Sequence, residues 1–239
     1  MSRTADPTAK ISLLRAAEEV FAEKGLAAAK VQDITARAGL SKGAFYLHFE
    51  SKEGAFRQVV EAFLARCMVM CTVPKPIPSS MNEPAQVLAH WQEKDVEIME
   101  FLWQNRGIVR ILPTCQGEQK YLFETFRSSI QQNCIDWIEI CQKAKLVREE
   151  LDSRVAAAVV QGAWNELVQQ MMHLQQKPVF HELMEQVQGI LVRGLGTPAL
   201  VDALVANERR SAHELLDRSV TRFIDRPVID SERRRRVRS

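Results

Sequence analysis

Hydrophobic positions recur at helical spacing along most of this chain and divide it into short amphipathic units. The first unit runs from about Thr8 to Lys24, with Ile11, Leu14, Ala17 and Phe21 on one face and Gly25 as its end. Val31 to Ala38 is a second, shorter unit, with Val31, Ile34 and Ala38 at i, i+3 and i+7. Gly39 follows where a helix commonly ends in a left-handed residue, because glycine has no Cβ to accommodate. Leu40 fills the turn. Ser41 can then cap a third unit, Lys42 to Phe49, by accepting backbone N–H bonds. A helix that short does not persist alone, so packing must hold it, and Phe45 and Phe49 at i and i+4 supply the inward anchors. Lys42, Gly43, Ala44, Tyr46, Leu47 and His48 are left facing outward. A cation, two nearly side-chain-free positions and a Tyr–x–His pair suit a helix inserted into a DNA major groove.

Ser51 caps a fourth helix, with Phe56, Val59, Val60, Phe63 and Leu64 facing inward. Pro74, Pro76 and Pro78 then break the helical pattern, since proline has no N–H and restricts its predecessor. Residues 85–105 carry Leu88, Trp91, Asp95, Ile98 and Leu102 on one face, and a short helix with Ile108, Val109, Ile111 and Leu112 follows. Residues 118–145 put Phe123, Phe126, Ile130, Cys134, Trp137 and Cys141 in register. The 153–176 helix is apolar on more than one side, which predicts burial between two partners. Phe180, Leu183, Met184, Val187, Ile190 and Leu191 define a last core helix, 179–195. After Gly194 to Pro198, an amphipathic extension carries Leu200, Leu204, Ala212, Leu216, Val220 and Ile224. Arg226-Pro227 stops it, and Ser231 to Ser239 is expected to be a disordered Arg-rich run.

The string Ile34, Ala38-Gly39-Leu40-Ser41-Lys42-Gly43, Phe45-Tyr46, His48-Phe49 and Ser51-Lys52-Glu53 resembles the TetR family of transcriptional regulators. The resemblance covers roughly the first fifty-five residues, and beyond them only the helical layout agrees. It implies an all-α chain in three parts: a three-helix DNA-binding domain with a helix-turn-helix over 1–50, a larger helical ligand-binding and dimerisation domain over 51–195, and the extension with its tail over 196–239. It also implies that Lys42 and Ala44 face base edges and that Tyr46, His48 and Lys52 lie along phosphates. Gln32 can reach a base, and Ser41 and Gly43 complete the surface. The family usually has Thr at or beside position 30. Lys30 stands here, able to meet phosphate but unable to cap the helix that follows.

By the same resemblance the helices of 153–195 form a four-helix bundle with a second copy. Gly162 and Ala163 allow close approach, and Leu167, Leu183, Val187 and Ile190 make the apolar seam. A symmetric dimer of this kind would bind a pseudo-palindromic operator on double-stranded DNA. The aromatic and thiol-rich set Trp91, Trp103, Phe123, Phe126, Cys134, Trp137 and Met171, with Asp95, is first of all a core; the family uses this region for a small-molecule effector. The implied function is a repressor released from its operator by a small apolar ligand. The alternative is a DNA-binding regulator controlled by a partner protein or by redox state.

Composition narrows the classes further. The net charge of +2 hides an Arg-rich end, since residues 207–239 hold ten Arg against six acids, and the preceding body is weakly acidic. Five cysteines without a framework spacing, and no secretory or membrane-spanning segment, lead us to expect a cytoplasmic chain with reduced thiols and no membrane partner. Cys67 and Cys71, at i and i+4, read as two small buried hydrophobes, with half a metal site or a redox pair as the alternative. Asp95 and Glu166 interrupt apolar stripes and need partners; they pair with Arg110, His90 or His173, or else orient a ligand. No G-x-S-x-G, H-E-x-x-H, glycine-rich phosphate loop or C-x-x-C occurs, so nothing nominates a catalytic centre, a metal site or a cofactor.

Overall fold

The computed structural model describes residues 7–72, 83–115 and 117–210. The proline-rich connector, the extension beyond Arg210 and the Arg-rich run lie outside the described residues. Within them the chain is helical, and its one β-type pairing is an isolated antiparallel bridge between Val147 and Gly196.

Helix α1 (Pro7–Ala28) carries Leu13, Ala16, Ala17, Val20 and Phe21 inward. Ile11, expected on that face, is exposed because the buried stripe runs one position off it. Gly25 ends the regular helix as expected, at φ 71° and ψ 169°, a conformation few residues besides glycine adopt, and a short turn to Ala28 follows across this kink. Helices α2 (Val31–Ala38) and α3 (Lys42–Tyr46) pack against α1. The α3 helix is shorter than the Lys42–Phe49 expected, since Leu47 and His48 already turn. Phe45 and Phe49 are nonetheless both buried, which is what keeps five residues helical.

Helix α4 (Lys52–Cys71) buries Phe56, Val59, Val60, Phe63 and Leu64 as the spacing requires, and runs from the three-helix head into the body. The body comprises α5 (Pro84–Gln104), α6 (Arg106–Ile111), α7 (Glu118–Lys143), α8 (Ser153–Met172) and α9 (Phe180–Leu195). One core joins α1 to α4 with α5, α6, α8 and α9, so apolar packing is continuous from head to body. A second core lies among α5, α7, α8 and α9. It is completed by a helix over 198–210, α10, whose Leu200 and Leu204 are buried. The extension thus begins by docking on its own body, helped by an Arg193–Glu208 ion pair at 2.7 Å.

Two close approaches position the parts. A Cβ on Gly107 of α6 would lie 2.2 Å from the Cβ of Ala22, so α6 crosses α1 with no side chain between them. On the other side, the Arg148 N–H donates to the Leu195 carbonyl at 3.0 Å and the Thr197 N–H to that of Leu146 at 2.9 Å, tying the α7–α8 turn to the start of α10.

Candidate nucleic-acid interface and ligand cavity

The head presents α3 by fixing everything around it. Ser41 caps α3 as expected, its Oγ accepting the Ala44 N–H at 3.1 Å. Gly39 holds the left-handed turn at φ 65°. Lys30 cannot cap α2, but the missing half of that cap comes from the other direction: the Lys30 N–H donates to the Asp33 carboxylate at 3.0 Å. Lys24 meets the same carboxylate at 3.0 Å, and that contact, with the Lys30 N–H, holds the Asp33 carboxyl below the usual aspartate range. Arg37 of α2 grips Glu23 of α1 through two bonds of 2.6 and 2.9 Å, with Glu19 at 3.3 Å.

With the head so braced, Lys30, Gln32, Ser41, Lys42, Gly43 and Tyr46 are exposed, and Ala44 and His48 are half-buried on the same side. Tyr46 and Leu47 are more than half exposed, at 57% and 53%, although both are large and apolar in part. A Cβ on Gly43 would meet only Ser41 Oγ, at an ordinary 3.7 Å, so nothing inside the protomer requires glycine there. Lys52 departs from its expected place along phosphate. Its ammonium donates to the carbonyls of Leu26 at 2.7 Å and Ala29 at 3.0 Å, satisfying the chain end that the Gly25 kink leaves open.

In the body, two lobes of about 420 and 310 Å3 lie among α4, α5, α7, α8 and α9. Met70, Cys71, Asp95, Ile98, Cys134, Trp137, Val160 and Trp164 border both. Of the expected ligand residues, Trp91 lines the first lobe, Phe123 and Phe126 the second, and Asp95, Cys134 and Trp137 both. Trp103 and Met171 do not line either. Trp103 packs edge-on against Phe180 at 6.3 Å under the Arg106 guanidinium, and Met171 is 2% exposed in the first core. Trp164, outside the expected set, borders both lobes; its place on the apolar α8 run was the available signal.

Asp95 does not find the counterion its sequence neighbours suggested. Arg110 instead donates to the Met172 carbonyl at 2.8 and 2.5 Å, at the end of α8. Among the described residues Asp95 has no hydrogen bond or ion pair, and burial pushes its carboxyl from 3.8 up to about 7. Glu166, by contrast, is exposed and accepts from Gln170 at 2.9 Å. The indole Nε1 of Trp91 is also buried without a partner. Burial disfavours the thiolates, pushing Cys67 up to about 12 and Cys71 and Cys134 to about 11, and no group of metal-ligating side chains occurs among the described residues.

The proposed dimer seam divides in two. Val155, Val159 and Gly162 of α8 and Ile190 of α9 face outward, Ile190 at 74% exposure, with Ala163 partly exposed beside them. Val187 is only 9% exposed and belongs to the protomer's own core, with Leu167 and Leu183 packed against that core. Position 187 lies three residues from 190, on the opposite edge of the α9 stripe.

The family model for bacterial regulatory proteins of the tetR family matches residues 13–59, which span α1 to the first half of α4. The regulator YerO of Bacillus subtilis (strain 168) is 41% identical over 59 residues, 25% of this chain and 20% of that protein. The transcriptional repressor DhaR of Mycobacterium sp. (strain GP1) is 27% identical over 141 residues, 59% of this chain and 67% of DhaR. Among solved structures, the fatty acid degradation regulator FadR of Bacillus halodurans superposes with a TM-score of 0.61 at 20% identity, over 80% of this chain and 97% of that one. The ketosteroid transcriptional regulator KstR2 of Mycobacterium tuberculosis superposes at 0.57 and 22% identity, over 79% and 95%. The structures establish the all-α fold, and the family model falls on the head that presents α3. By their names these relatives are regulators of transcription, and it is over residues 13–59 that this chain matches the tetR family.

Proposed function

We propose that this chain is a repressor that binds a pseudo-palindromic operator as a homodimer and releases it when a small, largely apolar ligand fills the cavity of the body. The observation that carries the DNA-binding half is the outward face of α3. Lys42, Tyr46 and Leu47 are exposed while Phe45 and Phe49 anchor the helix, and Gly43 stays bare where the protomer has room for a side chain. A bare position beside a cation suits close approach of a helix to base edges. Lys30 and Gln32 flank that face, and Ser41, Ala44 and His48 complete it.

Dimerisation is supported by the exposed apolar positions Val155 and Val159, on the α8 face that carries the bare Gly162, and by the exposed Ile190 of α9. The operator and the second copy are the partners; no cofactor is required. The ligand-responsive half is supported by a walled apolar cavity between α4 and the dimer helices. A ligand there that prefers one setting of α4 over another changes the separation of the two heads, and can release DNA only to the extent of that preference.

Selection of bound fragments from random DNA tests the proposal. We expect a two-half-site consensus, and Lys42→Ala should cost about 1–3 kcal/mol at that site while relaxing preference at one base pair. An unchanged consensus for Lys42→Ala would remove Lys42 from the base edges.

A further inference from the structure

The wall that the two lobes share is apolar but for two thiols and one carboxylate. Asp95 borders both lobes, with no cation or hydrogen-bond donor in contact among the described residues. The cations that line the cavity are otherwise placed: Lys94 is held by Glu97 at 2.6 Å, and Arg127 is exposed on α7. Three of the four tryptophans stand around the same space, Trp91 edge-on to Trp137 at 6.0 Å and Trp164 facing from α8. A partly buried carboxylate without a partner destabilises the empty protein, so its occurrence in an aromatic cavity points to a group that arrives with the ligand.

Three kinds of ligand head group can be compared at this site. A carboxylate would be repelled by Asp95. A hydroxyl would satisfy one lone pair but leave the charge uncompensated. A cation would compensate the charge and also gain from the indole faces, whose quadrupoles attract positive charge most strongly where water is excluded. We propose that the effector is an apolar organic cation, an amine or ammonium on a hydrocarbon or aromatic body, with Asp95 as its counterion. This rests on the ligand-released reading above.

Binding would draw Asp95 into its ionised form and release a proton. The titratable and charged groups that line the cavity with it are Cys67 and Cys71 of α4, His90 and Lys94 of α5, and Arg127, Cys134 and Cys141 of α7. The thiols stay protonated, since burial holds them far above neutrality. The Asp95→Asn variant separates the carboxylate from His90 and Lys94.

The test is a titration of tryptophan emission in the full-length protein with decyltrimethylammonium, 1-decanol and decanoate, which share a chain and differ in head group. Decyltrimethylammonium should bind at least about tenfold tighter than decanol, and decanoate weakest. Its own charge does not titrate, so its affinity should rise by up to about tenfold per pH unit toward pH 7 and level off above, and Asp95→Asn should abolish both the preference and the pH dependence. Asn is nearly isosteric and removes a charge that lacks a partner, so this variant is expected to fold. Equal binding of decanol and decyltrimethylammonium, tightest binding of decanoate, or an unchanged preference in Asp95→Asn would overturn the cation while leaving a ligand cavity. Failure of all three to change the emission or to release operator DNA would overturn the cavity as an effector site, and the cation with it.

Discussion

The reading head and the ligand cavity are built to opposite standards. In the head, the polar groups that set its geometry are paired: Arg37 with Glu23, Asp33 with Lys24 and the Lys30 N–H, Lys52 with two carbonyls, Ser41 with the Ala44 N–H. In the body, a carboxylate and an indole N–H beside open space have no partner among the described residues. A surface that reads DNA has to keep one shape with nothing bound, so its hydrogen bonds are internal. A cavity that responds to a ligand has to gain something on binding, so its hydrogen bonds are left incomplete.

The contrast can be broken in order of expected effect. Phe45→Ala removes a fully buried ring from beneath α3 and should cost about 3–5 kcal/mol, abolishing operator binding in a gel-shift assay while the cavity still quenches tryptophan emission on ligand addition. Gly107→Ala drives a methyl into Ala22 and should cost about 1–3 kcal/mol in urea unfolding. Because the crossing joins head to body, ligand binding in that variant should release DNA less completely.

Asp95→Asn should act with the opposite sign. The folded protein holds the Asp95 proton more tightly than the unfolded chain, so its contribution to stability is fully present below about 4 and is lost as pH rises through about 7. Above pH 7 the variant should be the more stable by about 4 kcal/mol, and the two should converge near pH 4 in thermal unfolding. A variant less stable than its parent at pH 8 would mean that Asp95 has a partner in the native protein. The smallest effect belongs to Ser41→Ala, which leaves the Ala44 N–H uncapped and should cost about 1 kcal/mol, with a matching loss of operator affinity.

The head was legible in the sequence because its logic is short-range. Gly39, Ser41 and the Phe45–Phe49 spacing each act within four residues, and each does what its spacing implied. The bonds of Lys52 were not legible because its carbonyl partners lie 26 and 23 residues earlier, beside a kink that periodicity does not reveal. In the body, spacing located the apolar stripes but not which edge faces the core, so Val187 and Ile190 looked alike although one is buried and the other exposed. Aromatic content likewise cannot separate a cavity wall such as Trp164 from packed core such as Trp103. That Asp95 interrupts a stripe was visible; that Arg110 turns away to cap α8 was not.

The docking of α10 has a consequence for the order in which the molecule can be made. Leu200 and Leu204 fill the second core against Leu88 of α5, more than a hundred residues earlier, and the bonds of Arg148 and Thr197 cannot form before that stretch exists. A ribosome delivers the head first and these leucines about 150 residues later, roughly 10–30 seconds at ordinary rates of synthesis. For that interval the nascent chain has a head able to fold beside a body whose second core is open on one side. Chain growth therefore fixes the sequence of events: the residues of the head are made early, and the second core beside the cavity is closed last.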